Sequence, residues 1–105
     1  MPSASSFNFL AFYRPTRAAM LTGGPTAHER DAISEHIEYL ASLQARGIVW
    51  FAGRTQVQDD RTRGICIFKA DSDKAAHALI DADPCVSRGV MIAEVFPFRV
   101  AVPAP

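Results

Sequence analysis

The sequence lacks the features that mark several large classes of protein. Eleven basic residues are balanced by eleven acidic ones, and no basic run is interleaved with aromatic residues. We therefore expect no nucleic-acid partner, because binding a phosphate backbone needs a concentration of positive charge. No apolar run approaches the roughly 20 residues of a membrane-spanning helix, so no membrane partner is expected either.

Motifs for metals and phosphates are also absent. The two cysteines, Cys66 and Cys85, form no CxxC pair, and no Cys/His cluster has zinc-ligand spacing. The Gly-Gly pair at 23–24 is too short for a phosphate-binding loop. His28 and His36 would lie about 12 Å apart along a helix. We expect no metal and no cofactor, and the lack of signal-peptide features predicts a cytoplasmic protein with reduced thiols.

What the sequence does contain is the composition of one globular domain. Of its 105 residues, 49% are hydrophobic and 21% are charged, which excludes a disordered chain. We expect a single domain over residues 1–105, with a core at about 7–100 and flexible ends.

Four segments favour strands, because they are short, apolar and rich in aromatic or β-branched residues. The first and third are apolar on both faces, so both faces should be covered. Pro97 places the last strand at a sheet edge, since proline cannot donate to a ladder. The predicted strands are 7–14, 48–55, 64–70 and 90–100.

Two helices are predicted. Thr26 and Glu29 form a capping box that begins the first helix, which should end near Arg46. Its buried stripe is predicted at Ile33, Ile37, Leu40 and Leu43, and this places His36 on the shoulder of the stripe. The second helix, 73–82, is capped by Ser72 and stopped by Asp83-Pro84.

The connection at residues 15–25 has two interpretations. It is long for a link between a strand and a helix. It is either an irregular excursion or a lid that carries Arg17 and Met20 over a pocket.

The predicted order β-α-β-β-α-β is that of a ferredoxin-like α+β fold, a four-stranded antiparallel sheet with both helices on one face. In this topology the first and third strands are central. The second sheet face is apolar and has no helix to cover it. Pairing with a second copy would bury it, so we expect a homodimer.

Particular segments resemble a known family. They are the mid-helix His36 before YLASLQARG, then FAGR, GICIFKADSDKAAHALIDADP and GVMIAEVFPFRV. Over about residues 7–100 the chain is similar to the YciI-like (YCII-related) family of the dimeric α/β-barrel superfamily. The resemblance implies protomers that pair sheet to sheet and a His–Asp dyad in a pocket, here His36 and Asp83. Arg54 stands where a proline is more usual in the family, and the connection 15–25 is longer.

The candidate site residues each have a functional and a structural interpretation. A histidine with an ordinary pKa of about 6.5 can take and give a proton, and a carboxylate can orient its ring. Spacing alone favours His36 as a boundary residue and Asp83 as a helix-end residue that bonds local amides, and the family resemblance reverses this preference. Arg54 and Arg14 are candidates to clamp a substrate carboxylate, or are solvated. Tyr39 is either a hydrogen-bond donor near His36 or a packing residue.

Together these features predict a cofactor-independent acid–base enzyme. It would be lyase-, dehydrochlorinase- or isomerase-like and would act on a small anionic compound, since some relatives in the resembled family are dehydrochlorinases. The alternative is a non-catalytic ligand-binding or interaction module with the same fold. A cofactorless oxygenase is a third hypothesis.

Overall fold

The computed structural model describes residues 6–102, so most of the predicted flexible ends, residues 1–5 and 103–105, lies outside the described residues. The elements follow the predicted order, with two short helices added. The strands are β1 (Phe9–Pro15), β2 (Val49–Arg54), β3 (Gly64–Phe68) and β4 (Met91–Pro97). The helices are α1 (Ala19–Gly23), α2 (Ala27–Ala45), α3 (Asp73–Asp81) and α4 (Pro84–Ser87).

The four strands form one antiparallel sheet in the order β2-β3-β1-β4. This order confirms the ferredoxin-like α+β prediction, with β1 and β3 in the centre. β4 is an edge strand, as Pro97 predicted. Proline has no N–H to donate, and at an edge strand one side of the backbone has no neighbouring strand to bond. None of the helices within residues 6–102 has both the length and the apolar character needed to cross a membrane.

The core lies between the helices and one face of the sheet. Phe9, Ala11 and Tyr13 alternate along β1 and are buried. This period of two places every second side chain of β1 against the helices. The buried residues of this cluster are Phe9, Ala11, Tyr13, Leu40, Leu43, Val49, Cys66, Phe68, Ala76 and Ile80.

The other sheet face is apolar and open. Phe51, Ile92 and Phe96 are 48%, 41% and 43% exposed, which is unusual for large apolar side chains. The Phe12 and Phe96 rings on this face contact each other edge to face, with centroids 6.1 Å apart. Within the described residues no helix covers this face, as the sequence predicted.

Helix α2 begins at the predicted capping box. Thr26 Oγ1 accepts a hydrogen bond from the Glu29 amide at 3.2 Å, and Glu29 Oε1 accepts one from the Thr26 amide at 2.8 Å. The helix ends at Ala45 with Arg46 as its C-cap, followed by Gly47 in the left-handed conformation with φ 76°.

The predicted buried stripe of α2 is wrong in one place. Ile37 is 62% exposed, whereas Leu40 and Leu43 are buried. The buried face runs instead through Glu29, Ala32, Leu40 and Leu43, and its spacing places His36 within it. Glu29 and His36 are polar members of this face, so the hydrophobic pattern did not indicate it.

Candidate active site

A cavity of about 800 Å³ lies between α2, β2 and the connections at residues 15–25 and 55–63. This volume falls in the range of small-molecule sites. Most of the lining is apolar, and in the described part of the chain no acidic side chain contributes to it. The residues that shape it include Met20, Ile33, His36, Leu40, Phe51 and Arg54.

His36 lines this cavity and contacts Asp83, which is buried behind it and does not itself line the cavity. Asp83 follows α3 and is the N-cap of α4, because Pro84 begins the new helix and forces Asp83 into an extended conformation. Its side chain is fully buried, while that of His36 is 15% exposed. The distance between His36 Nδ1 and Asp83 Oδ2 is 2.6 Å, a short hydrogen bond.

This contact sets the protonation of the histidine ring. An ionised carboxylate can only accept hydrogen bonds, so Nδ1 carries the proton that it donates to Asp83. In the neutral ring the lone pair is then on Nε2. Nε2 is therefore the nitrogen of His36 that is able to accept a proton.

The two oxygens of Asp83 have different partners. Oδ1 accepts a hydrogen bond from the Cys85 amide at 3.0 Å, which is the local cap of α4. Oδ2 accepts one from His36 and a second from the Tyr13 hydroxyl at 3.0 Å. The two interpretations of Asp83, helix-end cap and histidine partner, are thus both satisfied, one by each oxygen.

Tyr13 is a member of this cluster that the sequence analysis missed. It is buried and its ring contacts the His36 ring edge to face, with centroids 5.1 Å apart. Gly64 pairs with it across the sheet, and a Cβ at Gly64 would lie 3.2 Å from Tyr13 Cβ, so glycine leaves room for this side chain. Its position in an apolar strand gave no signal of a polar role.

The burial of Tyr13 keeps its hydroxyl protonated. Burial raises the pKa of Tyr13 far above its ordinary value, and the negative charge of Asp83 adds to this effect. The phenol therefore remains protonated, and able to donate a hydrogen bond, at neutral pH.

The site also contains ligand types that suit a metal. One ligating atom each from His36, Asp83 and Cys85 lies within 4.8 Å of the others. Burial, followed by the Asp83 charge, raises the pKa of the Cys85 thiol to about 12, so the thiolate that metals prefer is disfavoured. The thiol instead donates to the Ala32 carbonyl at 3.4 Å. This donor set fits a hydrogen-bonded cluster better than a metal centre.

The structure brings some predicted residues to the cavity and not others. Arg54, at the end of β2, lines it and is exposed. Arg14 is on the open side of β1 and does not line the cavity. Tyr39 does not line it either, because its hydroxyl donates to the Leu79 carbonyl at 2.7 Å.

The connection at residues 15–25 contains the short helix α1. Met20 is buried and lines the cavity, as expected for a lid. Arg17 does not line it, because its guanidinium donates to both carboxylate oxygens of Glu29, at 2.9 and 2.6 Å. This ion pair ties α1 to the beginning of α2.

Comparisons with known proteins agree with this architecture. A family model described as the YCII-related domain matches residues 8–99. Among solved structures, 5-chloro-2-hydroxyhydroquinone dehydrochlorinase (TftG) from Burkholderia phenoliruptrix AC1100, in complex with 2,5-dihydroxybenzoquinone, has a TM-score of 0.62. The sequences are 22% identical, and the match covers 87% of this chain and 93% of that chain. A comparison with curated proteins finds no match.

Proposed function

This chain belongs to the YCII-related domain family, and we propose that it is a cofactor-independent acid–base enzyme acting on a small anionic compound through His36 and Asp83. The observation that carries the proposal is the 2.6 Å contact between the fully buried Asp83 and Nδ1 of His36, a residue that lines a ligand-sized cavity. Titratable pairs of this kind, in a cleft, are typical of catalytic sites.

The proposed reaction begins with proton abstraction. Nε2 of His36 takes a proton from the substrate, and the Asp83 carboxylate stabilises the imidazolium that forms. The released electron pair forms a double bond and expels an anionic leaving group, or the proton returns to another carbon. The first route is an elimination and the second an isomerisation. Neither step transfers electrons to a carrier, so neither requires a redox cofactor.

The structural neighbour supports elimination as the first reaction to test. It is a dehydrochlorinase, and its structure contains a six-membered quinoid ring compound. At 22% identity it shares the fold, so its substrate serves here only as a starting point for screening.

Arg54 is proposed to bind the acidic group of the substrate. Among residues 6–102 its guanidinium makes no ion pair, and no acidic side chain of these residues lines the cavity to offset its charge. A planar guanidinium can donate two parallel hydrogen bonds to a carboxylate or phenolate. Arg14 and Tyr39 are left out of the proposed site because neither lines the cavity.

The direct test is His36→Ala, assayed by chloride release from chlorinated hydroxyhydroquinones. Loss of a general base should lower kcat/KM by about 10²- to 10⁴-fold. His77→Ala is the matched control, because His77 is exposed on α3 and its ring hydrogen-bonds to the Asp73 carbonyl of the same helix. Turnover that survives His36→Ala would exclude the proposed mechanism.

The non-catalytic alternative is separated by an exchange experiment. An enzyme that abstracts a proton should incorporate solvent deuterium into a bound ligand, and His36→Ala should stop this incorporation. A binding module would hold the ligand with equal affinity in both proteins and incorporate none.

A homodimer is proposed on separate grounds. The open sheet face presents Phe51, Ile92 and Phe96, and burying such a patch against its own copy would remove it from water. Phe96→Asp should therefore give a monomer by sedimentation. A wild-type protein that is monomeric at micromolar concentration would refute this proposal.

A further inference from the structure

We infer that Tyr13 is a positioning residue of the site, whose hydroxyl holds the Asp83 carboxylate and shares the oxygen on which His36 depends. The inference rests on the proposed function of His36 and Asp83. The Tyr13 hydroxyl and His36 Nδ1 both donate to Asp83 Oδ2, at 3.0 and 2.6 Å. Asp83 Oδ2, which orients His36, therefore accepts two hydrogen bonds, and the one from Tyr13 comes from the central strand β1.

Packing alone does not require this hydroxyl. Phe9 and Tyr13 project from the same face of β1 into the same core, and Phe9 packs there without a polar atom. At position 13 the ring itself packs against His36 and over Gly64. The added oxygen has one hydrogen-bond partner in the described residues, which is Asp83. A buried hydroxyl without a partner is unfavourable, so tyrosine suits this position only together with the carboxylate.

The shared oxygen has a consequence for the histidine. A hydrogen bond from Tyr13 draws negative charge from Oδ2 and weakens the attraction between Asp83 and an imidazolium at His36. Tyr13 thus favours the neutral form of His36, which is the form that can take a proton at neutral pH. Removing the hydroxyl should make His36 easier to protonate.

Other groups that feel the Asp83 charge do not change charge in the same pH range. They are Cys66 on β3, Cys85 on α4 and Tyr39 on α2, whose pKa values are all raised above the ordinary ones, mainly by burial. Arg88, which follows α4, stays positively charged and pairs with Glu35. A shift in the titration of His36 can therefore be assigned to the Tyr13 hydroxyl.

The experiment is an NMR titration of the His36 ring in wild type, Tyr13→Phe and Tyr39→Phe. Tyr13→Phe should raise the titration midpoint of His36 by about 0.5 to 1 unit, the effect of one hydrogen bond to a charged partner. Tyr39→Phe is the matched control, since it also removes one core-facing hydroxyl, but from the Leu79 carbonyl. Its His36 midpoint should equal that of wild type.

A second arm uses the fact that the chain contains two tyrosines. In the Tyr39→Phe protein, biosynthetic 3-fluorotyrosine enters at position 13 alone. The fluorinated phenol is more acidic and donates more strongly, so the His36 midpoint should fall, opposite in sign to Tyr13→Phe. This arm tests the inference even if Tyr13→Phe does not fold.

The outcomes separate this inference from the proposed function. Midpoints that move in opposite directions in the two arms support Tyr13 as a positioning residue. Equal midpoints in all proteins, or a fall in Tyr13→Phe, would overturn it and leave a purely structural tyrosine. The titration requires no turnover, so a failure of His36→Ala to affect activity would refute the enzyme while leaving these midpoints interpretable.

Discussion

The most informative test of the site's construction is the removal of the Asp83 carboxylate. Asp83 is fully buried and accepts hydrogen bonds from His36, Tyr13 and the Cys85 amide. Asp83→Ala leaves all three donors without their acceptor, and two of them, the Tyr13 hydroxyl and the Cys85 amide, belong to residues that are almost completely buried. The free energy of unfolding should therefore fall by much more than for a surface substitution.

The magnitude follows from the three lost contacts. Each buried donor left without a partner costs about 1 to 3 kcal/mol, and breaking a buried charged pair costs about 3 to 5 kcal/mol in total. We expect Asp83→Ala to lower the free energy of unfolding by about 3 to 5 kcal/mol. For a domain of this size that corresponds to a fall in Tm of about 12 °C or more.

Urea unfolding at pH 7, followed by circular dichroism, measures this difference directly. Asp81→Ala is the matched control, because Asp81 is an exposed carboxylate two residues earlier, and its loss should change stability by less than about 0.5 kcal/mol. Asp83→Asn should fall between the two. Its side-chain oxygen can still accept hydrogen bonds, but its NH2 group would face another donor. An Asp83→Ala protein within about 1 kcal/mol of wild type would refute the account of Asp83 as the acceptor of three buried donors.

Three further predictions concern the surroundings of the site. Because burial raises the pKa of the Cys85 thiol to about 12, iodoacetamide should not label Cys85 in the native protein at pH 7, and rapid native labelling would contradict its burial. The hydrogen bonds from Arg17, followed by that from the Thr26 amide, lower the pKa of Glu29 to about 2, so the stability that Glu29 contributes is present above pH 5 and is lost as the pH falls toward 2. Arg17→Gln should then be less stable than wild type at pH 7 by a margin that shrinks below pH 5; a constant margin from pH 7 to 2 would count against the ion pair. Arg54→Met should raise KM for an anionic substrate about 10- to 100-fold with little change in kcat, and an unchanged KM would remove Arg54 from the site.

Local signals in the sequence were sufficient for the elements and their order. Thr26 and Glu29 begin α2, Asp83-Pro84 ends α3, and Pro97 marks an edge strand, all as predicted. These signals work because capping, proline stereochemistry and strand alternation depend on residues close together in the chain. The two short helices α1 and α4 were missed, since each has at most five residues and is held by its surroundings.

The partner of His36 was suggested by the family resemblance, because spacing alone favoured Asp83 as a local cap. The structure shows that its two oxygens divide these roles. Ile37 and Tyr13 were misjudged for one reason: hydrophobic pattern tells which residues are apolar, but not which neighbours they meet. Ile37 borders a cavity instead of the core, and Tyr13 meets a buried carboxylate that lies 70 residues further along the chain.

What the sequence by itself determined is therefore the fold, through short-range caps, breaks and periodicities that agree with a single topology. What only the tertiary structure decided is the site. Its hydrogen bonds join β1, α2 and the beginning of α4, elements that are remote in sequence. A carboxylate buried between these elements needs hydrogen-bond donors. How the helices pack on the sheet decides which donors reach it.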